Sequence, residues 1–161
     1  MGNKQALSVA ILTLSDTRDT AADTAGQMIS ERISELGWDL AEYTLLPDDQ
    51  PRIAEQLRQW SDTLAVDIIL TIGGTGLSPR DVTPEATREV IAREVPGIAE
   101  AIRAESWKIK HVTALSRAVC GIRGNTLILN LPGSRKGAIE SLDMVSDVLP
   151  HALHTLHGGG H

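Results

Sequence analysis

The stretch that most limits what this chain can fold into is Val66-Asp67-Ile68-Ile69-Leu70-Thr71-Ile72-Gly73-Gly74-Thr75-Gly76. Over residues 66–72 apolar side chains dominate both alternating sets of positions, as in a strand covered on both faces. Three glycines then fall within four residues, permitting backbone angles that side chains resist and letting a ligand approach the main chain. Downstream, Thr83 suits a helix N-cap and Pro84 the first helical position. A buried strand ending in a glycine turn ahead of a helix is the usual place for an anionic ligand in an α/β sheet.

The 161 residues are the size of one domain, and no repeat, long linker or second-domain boundary interrupts them. Phenylalanine is absent and the only aromatic residues besides histidine are Trp38, Tyr43, Trp60 and Trp107, so the core must be aliphatic. No apolar run approaches the roughly 20 residues of a membrane span, and Met1-Gly2-Asn3-Lys4-Gln5 lacks the character of a signal peptide. Ala at position 6 also removes a myristoylation signal at Gly2. The single Cys120 excludes an internal disulfide and fits a reducing cytoplasm, the expected compartment. A net charge of −6 argues against general nucleic-acid binding. The charge is uneven, however: residues 103–136 carry +6 (Arg103, Lys108, Lys110, Arg117, Arg123, Arg135, Lys136 against Glu105), leaving −12 elsewhere. Such a window can hold an anionic small molecule or simply be a solvated surface.

In chain order, residues 8–15 read as the first buried strand, ending in Ser15-Asp16-Thr17 where a strand end would meet a ligand. Asp23 or Thr24 caps a helix with Met28, Ile29, Ile33 and Leu36 on its apolar stripe, stopped by Gly37. A second strand over 40–46 leads to Pro47-Asp48-Asp49, and Ile53, Leu57, Trp60 and Leu64 repeat at helical spacing after it. Beyond the glycine loop, helices are expected over 84–94 and 98–109, with a short extended segment over 116–121. Gly124-Asn125 signals a turn, residues 126–131 a strand, and Ile139, Leu142, Val145 and Leu149 the last helix, with Pro150 restarting a turn. Strands alternating with helices predict a three-layer α/β/α domain with a largely parallel sheet.

The loops after the buried strands (Ser15-Asp16, Asp48-Asp49, Gly73 to Asp81, and Pro132-Gly133-Ser134) should converge on the carboxyl edge of that sheet. The glycine loop is not a Walker A motif, because no Gly-Lys-Ser/Thr follows Gly76, nor is it a dinucleotide fingerprint. Its consecutive N–H groups can still form an anion nest; the alternative is a turn that serves packing alone. Asp16, Asp48, Asp49 and Asp81 offer the oxygens that Mg²⁺ prefers when bridging carboxylates and phosphates. Each aspartate also has a purely local use, at a helix start or in a turn. There is no Gly-x-Ser-x-Gly elbow and no histidine next to these loops, and Cys120 reads as a small core residue. His151, His154 and His157 fall at i, i+3 and i+6 on a terminal helix, lack an acid or cysteine to complete a zinc site, and are expected in a frayed, solvated tail, with 158–161 mobile.

Taken together, the motif Thr71-Ile72-Gly73-Gly74-Thr75-Gly76-Leu77-Ser78-Pro79-Arg80-Asp81-Val82-Thr83-Pro84-Glu85-Ala86-Thr87 resembles the signature of the MogA/MoaB family of molybdenum-cofactor proteins, which includes the G domain of gephyrin. Leu115-Ser116-Arg117-Ala118-Val119, Leu129-Asn130-Leu131-Pro132-Gly133-Ser134, Leu46-Pro47-Asp48-Asp49 and Leu14-Ser15-Asp16 match further family motifs in family order. The resemblance implies a nucleotidyltransferase: the terminal phosphate of molybdopterin attacks the α-phosphorus of Mg-ATP, and pyrophosphate leaves. It assigns catalysis and Mg²⁺ to the positions of Asp48 and Asp81. Ligand binding is assigned to Ser15, Asp16, Gly73, Gly74, Thr75, Gly76, Pro132, Gly133 and Ser134, with Ser116 and Arg117 near the pterin. A homotrimer or a dimer of trimers is implied, working beside other proteins of molybdenum-cofactor biosynthesis. A non-catalytic molybdopterin carrier is the alternative, because some MoaB-type relatives lack the aspartate matching Asp81, which this chain keeps. It departs from the family in carrying Arg135-Lys136-Gly137 where Pro-Lys-Ala is common, which leaves the loop without a restraining proline.

Overall fold

Each aliphatic run becomes a strand. In the computed structural model, which describes residues 6–160, the strands are β1 (Ser8–Leu14), β2 (Asp39–Leu46), β3 (Ile68–Ile72), β4 (Arg93–Glu94), β5 (Cys120–Arg123) and β6 (Thr126–Leu131). They form one sheet in the order β2-β1-β3-β6-β5-β4. β1 pairs in parallel with both β2 and β3, and β3 with β6. The edge formed by β5 and β4 runs antiparallel. The sequence readings on Met1 to Gln5 and on His161 lie outside the described residues.

Among the described residues six α-helices cover the sheet: α1 (Thr24–Glu35), α2 (Gln50–Asp62), α3 (Thr83–Val90), α4 (Pro96–Trp107), α5 (Arg135–Val145) and α6 (Leu149–Leu156). Because successive strand residues face opposite sides, the central strands bury two sets of side chains. Val9, Ile11, Leu70, Ile72 and Leu129 pack with α1, α4, α5 and α6; Ala10, Leu12, Ile69 and Ile128 pack with α2 and α3. The result is the three-layer α/β/α domain expected. Its core is aliphatic apart from Trp38 and Trp60, while Trp107 stays 47% exposed. Among the described residues no helix is long and apolar enough to cross a membrane.

Several elements depart from the sequence reading. Leu64 lies beyond the end of α2 and is 43% exposed, so the stripe closes at Trp60. Arg93 and Glu94 leave the expected helix to pair with Ile122 and Gly121, ending α3 at Val90. Thr83 caps no N–H; its hydroxyl donates to Gly73 O at 2.9 Å, while Val82 occupies the cap position. The last helix is two, broken after Val145, and residues 149–156 are a second helix anchored by buried Leu149 and Leu153. The expected fraying of that segment is therefore wrong, because two leucines one helical turn apart reach the core.

One buried polar cluster ties β6 to its surroundings. Asn130 donates to Thr71 Oγ1 (2.9 Å) and Thr87 Oγ1 (3.0 Å) and accepts from Val119 N–H (3.0 Å). Removing one partner leaves the others desolvated and unpaired. Asn130→Ala should therefore destabilise the protein by on the order of 3 kcal/mol in urea unfolding; a loss below about 0.5 kcal/mol, the scale of an ordinary surface change, would contradict this role.

Candidate functional site

α1 carries the chain from β1 outward to β2, and α2 returns it across β1 to β3, so the winding direction changes between β1 and β3. The loops leaving these strands diverge there and open a crevice at the carboxyl edge. Backbone bonds set its floor. Ser15 N–H donates to Leu46 O (2.9 Å) and Gly73 N–H to Leu131 O (3.0 Å). Gly73 has φ +101°, and a Cβ there would fall 2.7 Å from Leu14 O and 3.9 Å from Gly133 Cα. Only glycine lets the ends of β1, β3 and β6 come this close.

The acidic side chains from three loops meet above this floor. Asp16 Oδ1 accepts from Asp48 N–H (3.0 Å) and from an Arg80 Nη (2.9 Å), and its Oδ2 accepts from Arg80 Nε (2.9 Å). The Arg80 guanidinium, helped by the Asp48 amide, holds the Asp16 carboxyl below the usual carboxylate range. An exposed pair like this adds little stability; its value is that two loops are joined in a fixed geometry. Asp48 Oδ1 is buried and has no hydrogen-bond partner. Burial first, then the charges of Asp16 and Asp81, push the Asp48 carboxyl above its ordinary value, with Arg80 offsetting part of the rise. Two glycines face these carboxylates. A Cβ on Gly74 (φ +69°) would sit 3.0 Å from Asp48 Oδ1, and one on Gly76 would sit 2.8 Å from Asp81 Oδ2. Asp81 Oδ2 also accepts from Ser78 N–H at 3.1 Å.

Among the described residues no three His, Cys, Asp or Glu side chains gather into a cage for a metal ion. The chemistry that fits Asp48 and Asp81 is instead that of Mg²⁺, which keeps waters and shares one or two carboxylates with phosphate oxygens. A buried carboxylate oxygen without a partner, beside other acids, is the donor such a cation would satisfy.

On the other side of β6, Ser116, Pro132 and Ser134 line a cavity of about 460 Å³ between α4 and α5. Ile102, Ile109 and Val112 give it apolar walls, and Arg103, Lys110 and Lys136 add positive charge, offset in part by Glu140, 3.9 Å from Lys136. Asp48 and Asp81 are not part of it; crevice and cavity meet at the Pro132-Gly133-Ser134 loop, with Gly133 against Gly73 and its neighbours in the cavity. Ser134 caps α5, accepting from Gly137 N–H at 3.1 Å. A Cβ on residue 137 would come within 2.6 Å of Ser134 Oγ, so the glycine of the departing Arg135-Lys136-Gly137 sequence lets the cap close tightly.

Not every sequence candidate reaches the same place. Ser15 Oγ accepts from Thr17 and Arg18 N–H groups and shapes its own turn. Thr75 is buried. Asp49 caps α2, accepting from Arg52 N–H. Arg117 turns away from the cavity that Ser116 lines and donates into the glycine loop. The basic window does not form one patch, because Arg123 pairs with Asp62 and Lys108 with Glu105. The sequence reading missed Arg80 as a partner of Asp16; nothing in local spacing joins residues 64 apart. Cys120 is buried as expected, its thiol pushed up to about 12 by desolvation, which leaves it inert as a nucleophile.

A doubly wound sheet with an acid-lined, glycine-floored crevice at its switch point places this chain in the class of α/β proteins whose ligand sites lie at the carboxyl edge of the sheet. Comparison with known proteins narrows this. Residues 10–151 match the family described as "Probable molybdopterin binding domain". The chain is 34% identical to the molybdopterin adenylyltransferase of Helicobacter pylori, over 96% of this chain and 90% of that protein. It is 43% identical to the molybdenum cofactor synthesis protein cinnamon of Drosophila melanogaster over 94% of its length, spanning about a quarter (26%) of that larger protein. The crystal structure of the molybdopterin biosynthesis enzyme MoaB from Thermus thermophilus superimposes with a TM-score of 0.87 at 51% identity, covering 94% of this chain and 97% of that one. The chain belongs to this MogA/MoaB family of molybdenum-cofactor biosynthesis proteins.

Two outcomes follow from the geometry. Gly74→Ala forces a left-handed backbone onto a residue with a Cβ and presses it against Asp48 and Thr83. It should lower stability by on the order of 1–2 kcal/mol and weaken ligand binding; unchanged thermal unfolding and binding would refute the close approach. Because the folded state raises the Asp48 carboxyl, ionising it costs stability that is present below the unfolded pKa and lost as pH rises through the folded one. In metal-free buffer, Asp48→Asn should thus be more stable than the native chain at neutral pH. That advantage should shrink as pH falls through the carboxylate range; urea midpoints across pH read it directly.

Proposed function

We propose that this protein transfers an adenylyl group from ATP to the terminal phosphate of molybdopterin. A phosphate oxygen of the pterin attacks the α-phosphorus of ATP, a new P–O bond forms, and the bond to the β-phosphate oxygen breaks to release pyrophosphate. The observation that carries this reading is the unpartnered, buried Oδ1 of Asp48 beside Asp16, Asp81 and the glycine loop. The adenylyltransferase name of the Helicobacter pylori relative supports it over the non-catalytic alternative, as does the retained Asp81.

In this reading Asp48 and Asp81 are the residues that would hold Mg²⁺. When bound, the cation neutralises charge on the phosphate oxygens and lowers the cost of the charge that develops as pyrophosphate departs. The chain's own work is positioning. Asp16 and Arg80 keep the Asp48 loop against the glycine loop, and N–H groups of residues 74–76 supply donors fixed in advance of the reaction. The apolar walls of the cavity suit a flat heterocycle, and Lys110, Lys136 and Arg103 suit its phosphate. Their shared Pro132-Gly133-Ser134 wall would bring the two substrates together in attack geometry.

A homotrimer, alone or paired into a hexamer, completes the proposal, together with work in the cytoplasm beside other cofactor-biosynthesis proteins. Its support is the apolar stretch of Trp107, Ile109, Val112 and Leu115, all left solvent-exposed on one chain. Sedimentation should report an oligomer rather than a monomer.

Purified protein given molybdopterin and Mg-ATP should yield adenylylated molybdopterin and pyrophosphate. Asp48→Asn and Asp81→Asn should each reduce turnover by about 10²–10³-fold. Absence of product under conditions that support an active relative would sink the enzymatic reading, and pterin binding without turnover would leave a carrier.

A further inference from the structure

Arg117 is bonded unlike any other basic residue of the 103–136 window. Its backbone N–H donates to Thr75 O (2.9 Å), its Nε to Gly76 O (2.8 Å) and one Nη to Asp81 O (2.7 Å). The other Nη forms an ion pair with Glu85 in the first turn of α3. That pair holds the Glu85 carboxyl below its ordinary value. One residue therefore grips both ends of the loop and the helix that follows it. Within the loop itself, the bonds linking Ser78 with Asp81 and Arg80 make only a local turn.

We infer that Arg117 is a positioning residue for the glycine loop and Asp81, not a contact for the pterin; this rests on the role proposed for Asp81. The backbone at Ser116 is extended (φ −65°, ψ 129°), so successive side chains leave on opposite sides. Ser116 lines the cavity, while the Arg117 guanidinium is committed to the loop. In a trans peptide, a carbonyl and the next N–H point in opposite directions. Fixing the Thr75, Gly76 and Asp81 carbonyls toward Arg117 thus turns the N–H groups of Gly76, Leu77 and Val82 away from it. The same grip sets where the Asp81 side chain begins. Three acceptors in different directions match the planar fork of a guanidinium, whereas the single ammonium of lysine cannot serve them together.

The test measures molybdopterin adenylylation by Arg117→Lys and Arg117→Gln in the full chain. The expected result is a fall in kcat of about 10²-fold with the KM for molybdopterin within about 3-fold, since small misplacement of reacting groups costs rate rather than binding. Lysine should not rescue. Hydrogen exchange of amides 75–82 should accelerate in both variants without substrate present. If neither variant folds, Glu85→Gln, which leaves the three carbonyl bonds in place, should give the same split on a smaller scale. A rise of more than about 10-fold in the molybdopterin KM with kcat retained would make Arg117 a ligand contact and overturn the inference. Unchanged kinetics and unchanged exchange would overturn it as well. Asp81→Asn is run in parallel. Full turnover in that variant defeats the reading of Asp81 itself, whereas its loss beside unaffected Arg117 variants defeats this inference alone.

Discussion

The site depends on one steric constraint, the meeting of three strand ends at Gly73. Its amide bonds to Leu131 O, its α-carbon lies beside Gly133, and any side chain would strike Leu14 O. Because β1, β3 and β6 pair in parallel, their loops emerge on one edge. Bringing those loops into contact requires that the central one have no side chain at its first residue. Separating them by the width of a methyl group would move the Asp16 and Asp81 loops apart and open the crevice to water.

Above that contact, attraction and repulsion are balanced locally. Asp16 is satisfied twice over, by the Arg80 fork and by the Asp48 amide. Asp48 is the group left wanting, with one buried oxygen unpaired and two neighbouring acids raising the cost of its charge. A folded chain holds such a group only where surrounding packing enforces it, and here the enforcing elements are the capped start of α2 and the Gly74 turn. The cavity beyond β6 is different in kind, with apolar walls and cationic side chains. Two adjoining compartments of unlike chemistry suit two unlike substrates better than one large ligand.

The Arg80 and Arg117 guanidiniums act on the same loop from different sides. Arg80 reaches forward to Asp16, and Arg117 grips the carbonyls of Gly76 and Asp81. Isolated loops rich in glycine lose much entropy on ordering; fastening this one at both ends keeps its conformation single. The basic residues of this region thus divide into those that organise the protein, Arg117 and Arg123, and those that charge the cavity, Lys110 and Lys136.

Much of this was legible in the residues themselves. The strands, the alternating helices, the Asp23 and Asp49 caps and the glycine turn follow from periodicity and local stereochemistry, which depend on near neighbours. The motifs around Asp48 and Asp81 carried the family, and the fold agrees with it. What local pattern could not supply was anything requiring distant partners. Thr83 reads as a cap but donates to Gly73 O, because the tertiary turn places that carbonyl within reach. Residues 93–94 read as helix but complete a strand pair with β5, and the histidine-rich end packs as α6 because the core offers room for Leu149 and Leu153. The sequence by itself determined the kind of sheet, its aliphatic core and the residue types at the carboxyl edge. Only the tertiary structure decided which carboxylate oxygens were left unpaired and which arginine held which loop, since those outcomes depend on distances between segments far apart in the chain.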